Sequence, residues 1–315
     1  MTIRSYNLLD TSRGDFVLNA QTIAAIMAVG NSWFVNETTG NDTTGNGSSS
    51  LPFATLDAAL AAATANNGDV VYLMGTSHRT TTLNWNKAGV SLVGLTAPSN
   101  NDRARISQTG SVVFSPLVNV TAQGCSFINI GTFHGFASDT AQVCWAEAGG
   151  RNFYENVEFL GGGNATAAAN AGMRSLTVAG SGENQFVDCT IGLDTIVRAT
   201  NANASLEFLG GTPRNVFRGC VFQAFVTDAS DVHIKAGSTS VDRSQYLFNC
   251  MFANAVDSSG TAMSQAISWA TDAGGNIILD QNCQSVGATA IATAGPVYGS
   301  NALGATTSNI GLKLT

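Results

Sequence analysis

Three short stretches, spaced one repeat apart, decide the fold: Asp188-Cys189-Thr190-Ile191, Gly219-Cys220-Val221-Phe222 and Asn249-Cys250-Met251-Phe252. Each contains, in this order, a turn-forming residue, a small apolar residue, a variable residue and a large apolar residue. Two earlier stretches align with them, Gly124-Cys125-Ser126-Phe127 and Asn156-Val157-Glu158-Phe159, and the steps between aligned positions are 32, 32, 31 and 30 residues. Asn282-Cys283 repeats the first half of the pattern 33 residues later. The chain therefore contains an internal repeat of about 30 residues.

A second set of short runs alternates with the first, and each run reads apolar, other, apolar: Val143-Cys144-Trp145, Leu176-Thr177-Val178, Leu206-Glu207-Phe208, Val232-His233-Ile234 and Ile267-Ser268-Trp269. This period of two is typical of a strand with one buried face. A third run occurs in places, at Thr195-Ile196-Val197 and Ala224-Phe225-Val226. Two or three short strands per repeat, without apolar residues at helical spacing, predict an all-β solenoid.

In a parallel β-helix each repeat forms one turn of the coil, and equivalent side chains stack about 4.8 Å apart. The Asp, Asn or Gly before the small apolar residue suits a left-handed turn between strands. Two interior ladders are predicted, one of Cys189, Cys220 and Cys250 and one of Phe159, Ile191, Phe222 and Phe252. Buried cysteines behave as small apolar residues, so inert packing is favoured, with disulfides and metal ligation left as alternatives. No CxxC pair is present, and we expect reduced thiols.

Composition excludes several classes of protein. Hydrophobic residues make up 44% of the 315 residues and charged ones 11%, which excludes a disordered chain. The net charge is −7 and the only lysines are Lys87, Lys235 and Lys313, so neither nucleic acid nor a membrane surface is an expected partner. The apolar stretch from Ala20 to Val29 is too short to cross a bilayer. Asp10, Arg13 and Asp15 precede it, which argues against a signal peptide and favours synthesis in the cytoplasm without processing.

The repeats resemble those of the pectate-lyase-like superfamily of right-handed parallel β-helices, of the kind found in tailed-bacteriophage virion proteins. The N-terminal region shares this resemblance: Trp33-Phe34-Val35, a polar loop over 40–50, Pro52-Phe53-Ala54-Thr55-Leu56, the Ala-rich 57–65, Gly68-Asp69-Val70-Val71-Tyr72-Leu73 and Gly89-Val90-Ser91-Leu92-Val93-Gly94. The resemblance implies that the Ala-rich segment is a short helix that caps the first turn. It covers roughly residues 31–290 and is specific for the fold rather than for an activity.

Three regions follow from this reading: an N-terminal arm over 1–30, a parallel β-helix over 31–290 and a C-terminal tail over 291–315. In the arm, Asn19 is a candidate cap for a short helix over Gln21–Val29, with Ile23, Ile26 and Met27 on one side. The arm either docks onto a partner or packs against the end of the solenoid. In the tail, Ile310–Leu314 alternates and is able to pair as a strand.

Catalysis in the resembling enzymes needs clustered charge on one face of the solenoid, either an Arg or Lys base beside calcium or paired carboxylates around a sugar. The best such cluster is Asp228, Asp231, His233, Lys235, Asp242 and Arg243. A solvent-facing strand explains it equally well. Five other arginines are scattered along the repeats, and several of them could face one side as surface salt-bridge partners: Arg151, Arg174, Arg198, Arg214 and Arg218. We therefore predict no catalytic residue, no metal site and no cofactor, and the sequence leaves the binding residues unknown.

Three functions remain open. The first is a structural virion protein of a tailed bacteriophage, decorating or cementing the capsid surface, assembled in the host cytoplasm and held by the major capsid protein or another virion component. The resemblance to phage β-helices implies a homotrimer. The second is a tailspike-like polysaccharide depolymerase, with Trp85, Trp145 and Trp269 as sugar-stacking candidates, although alternation places Trp145 and Trp269 inside. The third is a glycan-binding adhesin without catalysis.

Overall fold

The computed structural model describes residues 29–95, 104–199, 203–255, 260–299 and 312–313. The chain winds as a right-handed parallel β-helix, which confirms the predicted fold class. The turns between the two ends contribute strands to all three sheets, in the order sheet 1, sheet 2, sheet 3. Main-chain hydrogen bonds join the strands of each sheet from one turn to the next, and the main apolar core runs through the turns as a single column.

The strands of each sheet follow one another along the axis. Sheet 1 contains twelve strands: β1 (Ser32–Val35), β2 (Val70–Leu73), β5 (Ser91–Gly94), β8 (Ser126–Ile128), β11 (Phe153–Glu155), β14 (Gln185–Val187), β17 (Thr212–Pro213), β18 (Val216–Arg218), β21 (Val241–Phe248), β24 (Gly275–Leu279), β26 (Val297–Gly299) and β27 (Leu312–Lys313). Sheet 2 contains eight: β3 (Thr76–Arg79), β6 (Ala104–Gln108), β9 (Ile130–His134), β12 (Glu158–Gly161), β15 (Thr190–Ile191), β19 (Val221–Ala224), β22 (Met251–Asn254) and β25 (Gln284–Val286). Sheet 3 contains seven: β4 (Leu83–Trp85), β7 (Val118–Val120), β10 (Val143–Glu147), β13 (Arg174–Val178), β16 (Ala204–Phe208), β20 (Val232–Ala236) and β23 (Ile267–Trp269).

The predicted ladder of large apolar residues is confirmed on sheet 2, where its members pair on successive strands: Phe159, Ile191, Phe222 and Phe252. A second aromatic ladder lines the inside of sheet 1. Tyr154, Phe186 and Phe217 stack there with ring-centroid distances of 4.6 and 4.5 Å and nearly parallel planes. Offset stacking of this kind adds stability beyond the burial of apolar area.

The thiol ladder is also confirmed. Cys189, Cys220 and Cys250 immediately precede residues that pair across adjacent strands, and Cys283 extends the row by one turn. All four thiols are free, and Cys283 alone is partly exposed. The Cys220 Sγ lies 3.4 Å from the carbonyl oxygen of Phe186. Burial raises the pKa of the Cys220 thiol well above its ordinary value, so Cys220 packs as a protonated, unreactive thiol.

The alignment of the Cys125 stretch with the later repeats is wrong. Phe127 pairs with Tyr154, not with Phe159, so the residue equivalent to Val157 is Ile130 and the step between them is 27 residues. Cys125 lies before strand β8, and its backbone N–H donates to Asn152 Oδ1. Gly124 has a positive φ of 68°. It therefore forms a left-handed turn before a small residue, which imitates the repeat at the wrong corner.

Left-handed residues do stand at the turn from sheet 1 to sheet 2, as the pattern predicts. Asn156, Asp188, Gly219 and Asn249 have φ values of 52°, 51°, 65° and 52°. Asn and Asp tolerate this conformation because their short polar side chains bond locally. One such residue per turn directs the chain sharply from one sheet into the next.

A different row of buried amides closes the corner between sheet 3 and sheet 1. Asn152 Oδ1, Asn184 Oδ1, Asn215 Oδ1 and Gln245 Oε1 each accept the backbone N–H of the equivalent position one turn earlier, at 2.9, 2.9, 3.1 and 3.0 Å. Each amide therefore satisfies a buried donor that no strand ladder reaches. Sequence analysis did not single out this row.

A helix caps the first turn, as the resemblance implied. Helix α1 (Leu56–Ala62) begins after Thr55, whose side chain accepts the N–H of Ala58, and it buries Leu56, Ala59 and Leu60 in the core. Asp69 fastens the cap, because it accepts hydrogen bonds from Asn31 N, Trp33 Nε1, Thr64 N and Asn67 Nδ2. Burial alone would raise the pKa of Asp69, but these hydrogen bonds outweigh it and hold the pKa at about 2.

Several other expectations have clear outcomes. Thr195–Val197 forms no strand, and instead lies in the loop that leads from sheet 2 to sheet 3, where helix α2 (Ala165–Ala168) occupies the previous turn. Leu312–Lys313 pairs antiparallel with β26, so the alternating end of the tail does contain a strand. The predicted arm helix over 21–29 lies outside the described residues except for Val29. Within the described part of the chain, no helix has the length and apolar content that a bilayer crossing needs.

Candidate functional site

The candidate site lies at the corner where the chain passes from sheet 2 to sheet 3. Loops connect the strands of sheet 2 to those of sheet 3, and polar side chains at the start of the sheet 3 strands lie beneath these loops. Cys144, Ser175, Ser205 and His233 occupy equivalent positions on β10, β13, β16 and β20, and all four are buried. Their alternate neighbours Trp145, Leu176, Leu206 and Ile234 point into the main core. The structure thus has a buried polar layer outside its apolar column.

A fully buried guanidinium organises this layer. Arg198 is 1% exposed; its Nη2 donates to Ser205 Oγ at 2.8 Å and its Nη1 to the carbonyl oxygen of Val232 at 3.5 Å. Asp231 Oδ1 accepts the backbone N–H of Asn203 at 2.9 Å. Asp231 Oδ2, Asn203 Oδ1 and both ring nitrogens of His233 are buried without a hydrogen-bond partner. We call Arg198, Asn203, Ser205, Asp231 and His233 the Arg198 cluster.

Burial controls the charges of this cluster. It lowers the pKa of Arg198 to about 10. It raises the pKa of Asp231 to about 7, because desolvation outweighs the hydrogen bond from Asn203 and the charge of Arg198. Burial, helped by the positive charge of Arg198, lowers the pKa of His233 to about 3. The imidazole of His233 is therefore neutral near pH 7.

A second charged group lies on the outer face of sheet 3, beside the Arg198 cluster. Glu207 Oε2 accepts a hydrogen bond from Arg174 Nε at 2.8 Å, and Glu207 Oε1 lies 3.9 Å from Lys235 Nζ. Arg174 also donates to the carbonyl oxygens of Ala171 and Met173. The carboxylate of Glu207 is thus flanked by cations on the strands before and after its own.

The structure divides the six residues that the sequence grouped. Asp231 and His233 enter the buried Arg198 cluster, so His233 does not lie on a solvent-facing strand. Lys235 faces outward and approaches Glu207. Asp228 accepts hydrogen bonds from Ser230. Asp242 and Arg243 are away from the others, on β21 of sheet 1, with 58% and 63% of their side chains exposed.

Sequence analysis missed Glu207 as a member of the site and grouped Arg198, which is buried, with the arginines considered for surface salt bridges. Arg174 and Glu207 are 33 residues apart, which is about one repeat, so the same period that found the ladders would have paired them. Arg198 has no such signal, because it lies in a loop between strands. Arg151 and Arg214 are surface ion-pair partners as expected, and both flank Glu183.

The described cluster does not offer the groups that sugar hydrolysis uses. That chemistry needs two carboxyl groups facing one sugar, about 5 to 9.5 Å apart. Here the outer carboxylate, Glu207, is engaged by two cations, and the second, Asp231, is buried behind the strand. Among the residues that the structure describes, no set of three or more His, Cys, Asp or Glu side chains is arranged to hold a metal ion.

The tryptophans considered for sugar stacking are not available for it. Trp145 and Trp269 point into the core, as alternation predicted, and are 0% and 3% exposed. Trp85 is also fully buried, and its Nε1 donates to the carbonyl oxygen of Val90. The proposal of Trp85 as a sugar-stacking residue is therefore wrong. The three rings stabilise the column instead.

No protein-family model and no curated protein sequence matches the chain. Solved structures do match its fold. The pectate lyase Pel9A aligns with a TM-score of 0.57 and 19% identity, covering 81% of this chain, which spans 63% of the lyase. A rhamnogalacturonan lyase aligns with a TM-score of 0.57, 16% identity and coverage of 81% and 68%. The pectin methylesterase from Aspergillus niger aligns with a TM-score of 0.50, 18% identity and 86% of each chain. At such identities the likeness concerns the fold: this chain is a parallel β-helix similar in architecture to pectate lyases and pectin methylesterases.

Proposed function

We propose that this protein is a structural, non-enzymatic component of a tailed-bacteriophage virion, a decoration or cement protein on the capsid surface. The non-enzymatic part of the proposal rests on the surroundings of two carboxylates. Glu207 is held between Arg174 and Lys235, and Asp231 is buried beneath the loops. A general acid or nucleophile has to reach its substrate, and neither of these groups is free to do so.

Carboxylates elsewhere support the same reading, since they have structural partners. Asp69 fastens the cap, Asp57 pairs with Arg79, and Asp42 accepts the N–H groups of Ala54 and Thr55. Glu147 is buried and accepts hydrogen bonds from Gly150, Asn152 and Tyr154. These carboxylates therefore stabilise the corners and the N-terminal end of the solenoid.

Shape and composition support a role in an assembly. The eight strands of sheet 2 give a stack of roughly 35 Å, with stacked aromatics along its interior. Charged residues make up only 11% of the chain, and a surface of amides and hydroxyls binds a protein shell without the cost of desolvating ions. We propose the major capsid protein or another virion component as the partner and a homotrimer as the assembled form.

One observation favours a second candidate, a glycan-binding module. The outer face of sheet 3 carries a row of amide, hydroxyl and carboxylate groups, in which Asn119 Nδ2 donates to Asn84 Oδ1 at 3.0 Å and Thr177 pairs with Glu207 on the next strand. Such groups suit sugar hydroxyls. The row lacks exposed aromatic rings, which is why we rank this candidate second.

The experiment that separates these functions has two parts. The purified full chain is incubated with capsular polysaccharides of candidate hosts and with pectin, and new reducing ends and unsaturated products are measured, with heat-denatured protein as a blank. Particles of the source virus are then labelled with an antibody against the chain and viewed by electron microscopy. Label on the capsid without product formation supports the proposal. Products that disappear in the Glu207→Gln variant would show that the protein is an enzyme.

A further inference from the structure

The outer face of sheet 1 carries a second apolar cluster near the N-terminal end. Val70, Tyr72, Val93 and Ile128 form this outer cluster and are 2%, 8%, 3% and 5% exposed. Their alternate neighbours on the same strands point into the main core. Phe34 and Phe153 pack against the cluster from the same face, and the rings of Phe34 and Tyr72 stack at 5.0 Å.

Low exposure on an outer face requires a cover. Farther along the same face, Tyr246, Ile278 and Tyr298 are partly exposed and Arg218 is exposed. Side chains on an open sheet face remain accessible in this way. The side chains of the outer cluster are much less exposed than these, although all the residues described in the cluster belong to sheet 1 itself. Helix α1 is no candidate for the cover, because it packs on the core side.

The segments outside the described residues differ in length and position, and these differences decide which of them is able to cover the outer cluster. Residues 300–311 leave and return at β26, six strand spacings or about 29 Å beyond β8. Twelve residues that go out and back reach about 20 Å. Residues 96–103 read Thr-Ala-Pro-Ser-Asn-Asn-Asp-Arg and contain no large apolar side chain. Residues 200–202 and 256–259 come between strands of sheets 2 and 3 in the sequence, and these segments of three and four residues are too short to reach the outer cluster.

Residues 1–28 meet every requirement. The described chain starts beside the outer cluster, where the Gly30 N–H donates to the carbonyl oxygen of Gly68 at 3.1 Å and the Asn31 N–H to Asp69 at 2.7 Å. Even at the helical rise of 1.5 Å per residue, 28 residues span about 40 Å. The cluster extends over two strand spacings, about 10 Å. The segment also supplies large apolar side chains: Ile3, Tyr6, Leu8, Leu9, Phe16, Val17, Leu18, Ile23, Ile26 and Met27.

We propose that the N-terminal segment, residues 1–28, docks on the outer cluster of its own chain. The segment then seals the outer face of the first turns, and it is not a free tether that holds a partner. This inference does not depend on the proposed virion function. It decides between the two roles that the sequence left open for the arm.

Limited trypsin digestion of the full chain tests the docking, because Arg4 and Arg13 are the only Lys or Arg residues in the segment. A synthetic peptide of residues 1–28 gives the unprotected rate. We expect cleavage after Arg13 to be at least tenfold slower in the wild-type chain than in the peptide. Tyr72→Glu should bring the rate close to that of the peptide. Tyr246→Glu, on the same face but six strands farther along the sheet, is the matched control and should leave the rate unchanged.

Circular dichroism on each variant separates undocking from unfolding. Should Tyr72→Glu lose its strand signal, Ile26→Glu tests the same contact from the side of the segment. Equal cleavage rates for the wild-type chain and the peptide would overturn the proposal. So would a wild-type oligomer that Tyr72→Glu converts to a monomer without faster cleavage, since the face would then bind a second copy.

Discussion

The side-chain oxygen Oδ1 of Asn184 accepts the backbone N–H of Asn152 at 2.9 Å, one turn of the coil away. Asn184 in turn donates its Nδ2 to Asn215 Oδ1 at 2.9 Å. Both residues are buried, at 0% exposure for Asn184. The corner between sheets 3 and 1 is therefore held by a column of amides in which each member depends on the next.

We expect Asn184→Ala to destabilise the protein by about 1–3 kcal/mol, because it leaves the buried N–H of Asn152 without an acceptor. The free energy of unfolding in urea measures this. Asn84→Ala is the control: it removes an amide contact with Asn119 on an exposed strand position and should cost less than about 0.5 kcal/mol. Equal losses for the two variants would contradict the role of the column.

The sheet 2 ladders give a second prediction. Phe222→Ala should cost about 3–5 kcal/mol, because it opens a cavity against Phe252, whose ring centroid is 5.1 Å away. Cys220→Ser should cost about 1–3 kcal/mol, since it places a hydroxyl in a fully buried site. Thermal unfolding followed by circular dichroism measures both. Unchanged melting of both variants is incompatible with the register described above.

The repeat pattern carries enough information to predict the ladders because β-helix geometry forces equivalent residues into contact at a fixed spacing. Cys220 and Phe222 could therefore be placed inside before any coordinates. The same rule failed at Cys125, where a turn of 27 residues and the left-handed Gly124 imitate a turn of 32. Local chemistry at one corner resembles that at another, and only the pairing of Phe127 with Tyr154 distinguishes them.

The buried polar layer was less predictable. Arg198 lies in a loop whose length differs from turn to turn, so no period points to it. Its burial depends on how that loop folds over Ser205 and Val232, which is a tertiary effect. His233 alternates correctly as an outward residue, yet it is fully buried, because the strand faces a covering layer and not water.

A third prediction concerns Glu147, which is buried and accepts hydrogen bonds from Gly150 N, Asn152 Nδ2 and Tyr154 Oη. Burial raises the pKa of Glu147 from 4.5 to about 6 despite those hydrogen bonds. Between these two values the folded state holds a proton that the unfolded state has lost. The contribution of the Glu147 carboxyl group to the free energy of unfolding is thus largest below pH 4.5, and it declines by about 2 kcal/mol as the pH rises through 6.

Glu147→Gln should remove this decline. The amide keeps an acceptor for Gly150 N–H and does not titrate, so the stability of the variant relative to wild type should increase between pH 4.5 and 6.5. Urea denaturation at steps of half a pH unit measures the difference. Glu155→Gln, a partly exposed residue on the neighbouring strand β11, serves as the control. A constant difference for Glu147→Gln over the whole range would show that the carboxyl group does not titrate in this window.

The last prediction concerns His233, and its pH dependence has the opposite sign. Burial lowers the pKa of His233 from 6.5 to about 3, so the folded state keeps the ring neutral while the unfolded state binds a proton below pH 6.5. Stability that depends on the neutral ring is present above pH 6.5 and is lost as the pH falls, by up to about 1.4 kcal/mol per pH unit. His233→Phe keeps an aromatic ring beside Phe252 and removes two buried nitrogens that have no partner. We therefore expect the variant to match or exceed wild type in stability at pH 7 and to gain on it progressively toward pH 4, measured by urea unfolding. His78→Phe, at a half-exposed residue, controls for the replacement of a histidine by phenylalanine in general. If His233→Phe instead lost stability equally at pH 7 and pH 4, the imidazole would be hydrogen-bonded in the folded protein, and the Arg198 cluster would include a partner for it.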